Sequence, residues 1–269
     1  MDYEKRVIKL QENIYGVKGI WMNGMSFFNT YAYILRSEET GRLLLIDTCG
    51  PQSGEMIKYA VELMGASMSD ITGIALTHWH KDHTGSLAEI AGMAATPDRP
   101  VNVFIHKDDS LFLTSQRRRI LKMHPVLKFR VLHSPGTLPE KSLHNLIELD
   151  NETGINPLSD YGVEFIHTPG HTPGHTSYLH RKSMTLFSGC GLSLFGRNSV
   201  GVVPVFYDRK MQLDSAKRLM ELEFDYLCSA HMNVRRDVVR RDMRVPFKGK
   251  VSFVDRATGT LPLFRYPKK

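Results

Sequence analysis

Cysteine is scarce in this chain of 269 residues: Cys49, Cys190 and Cys228 are an odd, widely spaced set that excludes a disulfide framework. Long apolar runs are missing too. No stretch approaches the roughly 20 apolar residues that a membrane-crossing helix requires. Met1-Asp2-Tyr3-Glu4-Lys5-Arg6 leads into alternating, strand-like sequence instead of an apolar segment of signal length. No fixed-period repeat is present, which sets aside solenoids and arrays. These absences predict a reduced, cytoplasmic protein without membrane contact.

Histidine at close spacing is what the sequence does have. The run His78-Trp79-His80-Lys81-Asp82-His83 packs four potential metal-binding side chains into six positions. Buried polar groups without partners are costly, and a metal ion supplies the partner that such a cluster lacks. The preceding Ile71-Thr72-Gly73-Ile74-Ala75-Leu76-Thr77 is apolar and β-branched, so it reads as a buried strand ending where the histidines begin. Gly85 and Ser86-Leu87-Ala88-Glu89-Ile90 read as a helix opening. In locally extended backbone His78 and His80 point the same way, with Asp82 of equal parity and His83 of the opposite one. One loop could thus serve two adjacent metal positions.

Further ligands are offered by His167-Thr168-Pro169-Gly170-His171-Thr172-Pro173-Gly174-His175, which follows the strand-like Val163-Glu164-Phe165-Ile166. Two Pro-Gly pairs make a tightly turned loop, and His171 between them is the ligand candidate. His167 belongs to the strand and reads as a packing or hydrogen-bonding residue. His175 is left open, as a ligand or as a neighbour of one.

These motifs resemble those of the metallo-β-lactamase superfamily. The resemblance rests on Thr77-His78-Trp79-His80-Lys81-Asp82-His83-Thr84-Gly85, on Thr168 to Gly174, on Leu43-Leu44-Leu45-Ile46-Asp47-Thr48, on Leu186-Phe187-Ser188-Gly189, and on Ser229-Ala230-His231 after Phe224-Asp225-Tyr226-Leu227. The five occur in the family's order over nearly the whole chain. The resemblance implies an α/β fold, a four-layer αββα sandwich, with a metal cleft at one edge between two sheets. It implies that His78, His80 and His171 hold a first metal, and Asp82, His83 and His231 a second. Zinc is the expected occupant, as two ions, with iron or manganese as alternatives.

One position departs from the pattern. Where most hydrolases of the superfamily carry Ser-Gly-Asp, with the Asp bridging both metals, this chain has Ser188-Gly189-Cys190. A thiolate preserves the single negative charge and binds zinc at about 2.3 Å, but it offers one atom where a carboxylate offers two. Some β-lactamases of the superfamily resemble this pairing of Asp, Cys and His, yet lack an equivalent of His83. The bland alternative is a small buried cysteine beside an empty second site. Of the other cysteines, Cys49 falls on a loop that the family places near the cleft, and Cys228 reads as core.

The length allows one or two domains and the resemblance favours one, spanning residues 1–269, with a cap insertion at about 107–160 that begins with a helix over Lys107 to Leu121. In the family's hydrolases such a cap helps select substrate. A net charge of +7 and the clusters Arg117-Arg118-Arg119, Arg235-Arg236, Arg240-Arg241 and Arg244 invite a nucleic-acid reading, but charge runs are usually solvated faces. A small-molecule substrate is the expectation, with nucleic acid the minority reading, and the cap and Phe27-Phe28 offer a homodimer surface.

Zinc on three neutral imidazoles lowers the pKa of bound water to about 7, so the expected chemistry is hydrolysis of a small ester, lactone, thioester or amide by zinc-bound hydroxide. Asp82 is the candidate catalytic residue, orienting that attack and carrying its proton. Asp47 is expected to fix an imidazole tautomer. The alternatives are a mononuclear iron redox enzyme like the persulfide dioxygenases, a β-lactamase, a phosphodiesterase or nuclease, and a non-catalytic binder. The chain lacks the Gly-Asp-Thr-Leu-Phe run usual in glyoxalase II. Ser193 stands about where quorum-quenching lactonases tend to have a catalytic tyrosine.

Overall fold

The run Leu43-Leu44-Leu45-Ile46 is buried at every position, as a strand must be when both its faces are covered. Successive side chains point to opposite faces. Accordingly Leu43 and Leu45 enter one apolar cluster, while Leu44 and Ile46 enter another. The computed structural model describes residues 2–22, 27–115, 119–123, 129–194, 199–231, 244–246 and 252–255.

The chain opens with the antiparallel strands β1 (Val7–Gln11), β2 (Ile14–Met22), β3 (Phe27–Arg36) and β4 (Leu43–Ile46). Helix α1 (Gly54–Leu63) then crosses over to β5 (Ile71–Ala75), which is parallel to β4. The short α2 (Lys81–Thr84) and α3 (Leu87–Ala94) lead to β6 (Val101–His106), again parallel. After α4 (Lys107–Ser115), strands β7 (Arg119–Met123) and β8 (Phe129–His133) form a hairpin, and β9 (His144–Leu149) returns to the first sheet beside β6.

A second sheet is built from β10 (Val163–His167), β11 (Thr176–His180) and β12 (Thr185–Gly189). Strands β13 (Ser193–Leu194), β14 (Ser199–Val202) and β15 (Val205–Phe206) follow, then α5 (Arg209–Met220), β16 (Tyr226–Ser229), β17 (Arg244–Pro246) and β18 (Ser252–Asp255). Among the described residues the first sheet has the order β1-β2-β3-β4-β5-β6-β9 and the second β10-β11-β12-β16-β17. Two three-stranded sheets, β13-β14-β18 and β15-β7-β8, stand beside them.

Strand alternation sorts the core into three layers of packing. Met56, Ile57, Ala60 and Val61 of α1 and Leu87 and Ile90 of α3 cover the outer face of the first sheet. Tyr178, Phe187 and Cys228 face inward against Leu44, Ile46 and Tyr33, filling the space between the sheets. Their neighbours Leu179, Leu186 and Leu227 face outward against Ala216, Leu219 and Met220 of α5. This is the four-layer αββα sandwich expected from the resemblance, and Cys228 is core as anticipated.

Two expectations are corrected. The helix expected over Lys107 to Leu121 is described over Lys107–Ser115, but Arg119–Met123 pairs with β8 and β15, where strand pairing overrides the local helix preference of Leu, Lys and Met. Within the stretch 107–160, β9 supplies an edge strand of the first sheet and α4 packs Leu113 into its core. Lys81–Thr84 is a helical turn, so a turn of helix, not strand parity, aims Asp82 and His83. Arg117, Arg118, Arg235, Arg236, Arg240 and Arg241 lie outside the described residues, as do the side chains of Arg119, Arg244, Phe27 and Phe28. Among the described residues no helix is long and apolar enough to cross a membrane.

The two sheets are tied directly at one end, where the buried Tyr178 hydroxyl donates to the Leu76 carbonyl oxygen at 2.6 Å. Tyr178→Phe keeps the ring and removes that bond. We expect it to lower stability by about 1–2 kcal/mol, read as a lower urea midpoint at unchanged slope.

Candidate metal centre

The parallel strands β4 and β5 end side by side, and Asp47 follows β4 in a left-handed conformation with φ of 58°. That turn aims its carboxylate across at the end of β5. Asp47 accepts from the Thr77 backbone N–H and the Thr77 hydroxyl, each at 2.8 Å, and from His83 Nδ1–H at 2.7 Å. With its own proton given to Asp47, the Thr77 oxygen accepts from His78 Nδ1–H at 3.0 Å. A single carboxylate thereby fixes two imidazoles, each presenting a bare Nε2.

The second sheet supplies the remaining imidazoles. His171 Nδ1–H donates to the Val205 carbonyl at 2.8 Å, and His231 Nδ1–H to the Asn29 carbonyl at 2.9 Å, so both also present Nε2. His231 is carried there by β16, whose end is gripped by Tyr33 Oη donating to Ser229 O and by Tyr31 N donating to Ala230 O.

Two triangles of donor atoms result. His78 Nε2, His80 Nδ1 and His171 Nε2 lie 2.9, 3.1 and 3.2 Å apart. Asp82 Oδ2, His83 Nε2 and His231 Nε2 lie 3.3 to 3.4 Å apart. A tetrahedral ion with ligands at about 2.0–2.1 Å sets them about 3.3 Å from one another, so both triangles match one cation each. In the first triangle the bare Nε2 atoms of His78 and His171 face one another at 3.2 Å, where lone pairs repel unless a cation lies among them. Cys190 Sγ is 3.6 Å from His83 Nε2, close to the separation of about 3.6 Å for a sulfur at 2.3 Å and a nitrogen at 2.05 Å from one tetrahedral ion. The same sulfur contacts His171 of the first triangle and His231 of the second. The donor set therefore fits two adjoining cations.

Charges within the centre are complementary. Burial pushes the Cys190 thiol up, but His171, His231 and His83 around it bring it well below the ordinary thiol range. Burial likewise opposes the charged form of His231, yet Cys190 and Asp82 raise that imidazole to about 10. Asp82 is held well below the usual carboxylate range, against its burial, by His83 and His231.

The sequence signature of the metallo-beta-lactamase superfamily matches residues 25–231. The chain belongs to that superfamily. The beta-lactamase-like protein 2 homolog of Drosophila melanogaster is 26% identical over 230 residues, which span 85% of this chain and 67% of that protein. Among solved structures, the DIM-1 metallo-beta-lactamase exposed to ceftazidime is 17% identical with a TM-score of 0.59, covering 84% of this chain and 88% of its own. TTHA1623, solved in a di-iron-bound form, is 23% identical with a TM-score of 0.52, covering 80% of this chain and 91% of its own. This chain is accordingly a metallo-hydrolase of the metallo-beta-lactamase superfamily, with the αββα sandwich of its members.

The structure brings together every candidate ligand of the sequence: His78, His80 and His171 in one group, Asp82, His83 and His231 in a second, and Cys190 against both. Asp47 makes the expected carboxylate–histidine contact. His175 is not aimed at either group, because its Nδ1–H donates to Thr168 Oγ1 at 2.8 Å and its Nε2 accepts from the Cys190 backbone N–H at 3.0 Å. It holds the loop of Cys190, and burial, with His171 nearby, lowers its pKa to about 3. The Cys49 thiol faces the backbone carbonyls of Val17 and Thr30, and burial pushes it up to about 11. A further group, His106, Asp108 and His167, is a poor chelate: its two imidazoles stack at 3.8 Å and 11°, so their lone pairs run parallel instead of converging.

Sequence reasoning missed Asp109 in the first turn of α4, which is fully buried and accepts from Thr172 Oγ1 at 2.6 Å and from the Gly174 N–H at 2.7 Å. The signal available was weak: an Asp-Asp pair after an apolar strand, which reads as an ordinary acidic helix start.

Asp47→Asn leaves one carbonyl oxygen to serve three donors. We expect it to lower metal affinity about 10–100-fold in chelator competition at fixed pH, with the fold retained by circular dichroism.

Proposed function

We propose that this metallo-hydrolase cleaves a small ester, lactone, thioester or amide at a two-zinc centre held by His78, His80 and His171 on one side and by Asp82, His83, Cys190 and His231 on the other. The observation that carries the reading is the pair of complete donor triangles, with the Cys190 sulfur 3.6 Å from His83 Nε2 of the second. Imidazole with one thiolate is a donor set that suits zinc. When bound, such ions acidify a water to serve as the nucleophile and polarise the carbonyl under attack.

The chain's own residues do the rest. The three imidazole ligands, with His78 oriented by Thr77 and His171 by the Val205 carbonyl, would add no charge to a cation in the first position and leave it electrophilic. Asp82 stays ionised in the centre, and its carboxylate orients the attacking water and carries the proton onward to the leaving group. Cys190 and Asp82 each bring one negative charge, so the second position is less electrophilic than the first. That asymmetry would suit a division in which a cation held by His78, His80 and His171 favours attack and one held by Asp82, His83, Cys190 and His231 steadies the charge on the departing oxygen, sulfur or nitrogen. Asp47 acts through His83 and Thr77, holding the imidazoles while charge moves.

The substrate is a small molecule, approached beside the segment that follows the β7–β8 hairpin. The segment after that hairpin lies against the first triangle: the Lys81 N–H donates to the Ser134 carbonyl at 3.1 Å and His80 bridges to Pro135. On the other side β15 pairs with β7 and carries the Val205 carbonyl that holds His171.

Elemental analysis of the purified protein tests this reading. About two zinc ions per chain are expected, falling toward one in Cys190→Ala, together with hydrolysis of at least one class in a panel of lactones, thioesters, esters and amides. Chelation should abolish turnover and added zinc restore it. One iron per chain, unchanged in Cys190→Ala and without hydrolysis, would overturn the proposal. Asp82→Asn should lower kcat by about 10²–10⁴-fold on whichever substrate is found.

A further inference from the structure

The loop that carries His171 is clamped from two sides. On the α5 side, Ser215 Oγ donates to the Pro169 carbonyl at 2.8 Å, and the Tyr207 N–H donates to Gly170 O at 2.8 Å. Gly170 sits there at φ of 130°, with the Gln212 backbone where a Cβ would stand. On the α4 side, Asp109 grips Thr172 and Gly174 through separate carboxylate oxygens, on either side of Pro173. His167 reinforces this side, its Nε2–H donating to Pro173 O at 2.9 Å while its ring stacks on His106. The fit is close: a Cβ on Gly174 would lie 2.7 to 2.8 Å from the backbone N, Cβ and Cγ of Asp109.

A fully buried carboxylate is an expensive way to pack a helix against a loop. An apolar side chain would fill the volume at lower cost, but it could not accept two donors at a fixed separation. Those donors lie one and three residues beyond His171, the member of the first triangle contributed by the second sheet.

We infer that Asp109 is the positioning residue of the first metal site, setting through Thr172 and Gly174 where the His171 imidazole stands relative to His78 and His80. The inference rests on the metal reading of that triangle. It makes the first site depend on α4, an element without a ligand of its own. The second site, whose Asp82, His83, Cys190 and His231 are held by other contacts, should be indifferent to Asp109.

Cobalt(II) loading separates the sites, because sulfur-to-cobalt charge transfer from Cys190 reports the second and the remaining visible bands and chelator competition report the first. In Asp109→Ala the first-site affinity should fall about 10–100-fold with the Cys190 band preserved. Asp109→Asn should recover most of it, since the amide oxygen can accept from Gly174 N–H and the amide nitrogen can donate to Thr172 Oγ1. Wild-type affinity at both sites in Asp109→Ala would overturn the inference, as would an equal loss at both. If the alanine variant fails to fold, Thr172→Val removes one of the two bonds and should still weaken the first site selectively, by about 3–10-fold; no weakening there would overturn the inference. A wild-type chain that takes up no cobalt at the triangle would refute the metal reading itself, whereas a loaded wild type with an indifferent Asp109→Ala refutes only the role of Asp109.

Discussion

The carboxylate of Asp47 is the constraint on which the rest of the centre depends. It joins the ends of two parallel strands, takes three hydrogen bonds, and through them decides which nitrogens of His78 and His83 are bare. Its left-handed backbone is needed because an extended residue would continue β4 instead of turning toward β5. The following residues join the same knot: the Thr48 N–H donates to His83 O and the Gly85 N–H to Cys49 O, so the loop after β4 and the turn bearing Asp82 and His83 move as one piece.

Built on this base, the centre has a graded electrostatic design. One end consists of imidazoles alone, and burial together with the neighbouring imidazoles drives His78 well below the ordinary range. The other end gathers a carboxylate and a thiol drawn toward thiolate, opposite imidazoles drawn toward imidazolium. Such a cluster is balanced either by protons or by a divalent cation, and the geometry of the donors favours the cation.

Much of this was legible in the sequence, and the boundary is instructive. The ligand residues could be read because their side chains crowd at a density that packing alone does not explain, and the layers because Leu43 to Ile46 and Leu186-Phe187 are apolar without interruption. What could not be read depends on partners far along the chain. The carbonyls of Val205 and Asn29 orient His171 and His231, and any residue could supply a carbonyl. Asp109 looks like a common helix opening until it is seen 63 residues away from Thr172 in sequence and 2.6 Å away in space. The strand at Arg119–Met123 was mistaken for helix because its partners, β8 and β15, decide its conformation. His175 was ambiguous because a histidine beside a ligand loop can face the metal or hold the loop, and only the Cys190 N–H selects the second.

The origin of the donors has a mechanical consequence. His78, His80, Asp82 and His83 come from the first sheet, whereas His171, Cys190 and His231 come from the second, so each triangle is closed only by crossing from one sheet to the other. Bound ions would act as a clasp at the open lip of the sandwich, stitching together halves that elsewhere meet chiefly through apolar side chains and the Tyr178 and Tyr33 hydroxyls. Ligands that bind only the folded state stabilise it by mass action, by about 2.7 kcal/mol at a hundredfold excess over Kd. The lifetime of the folded chain would then follow the free metal concentration around it, and starvation for metal would loosen the whole sandwich from the lip inward.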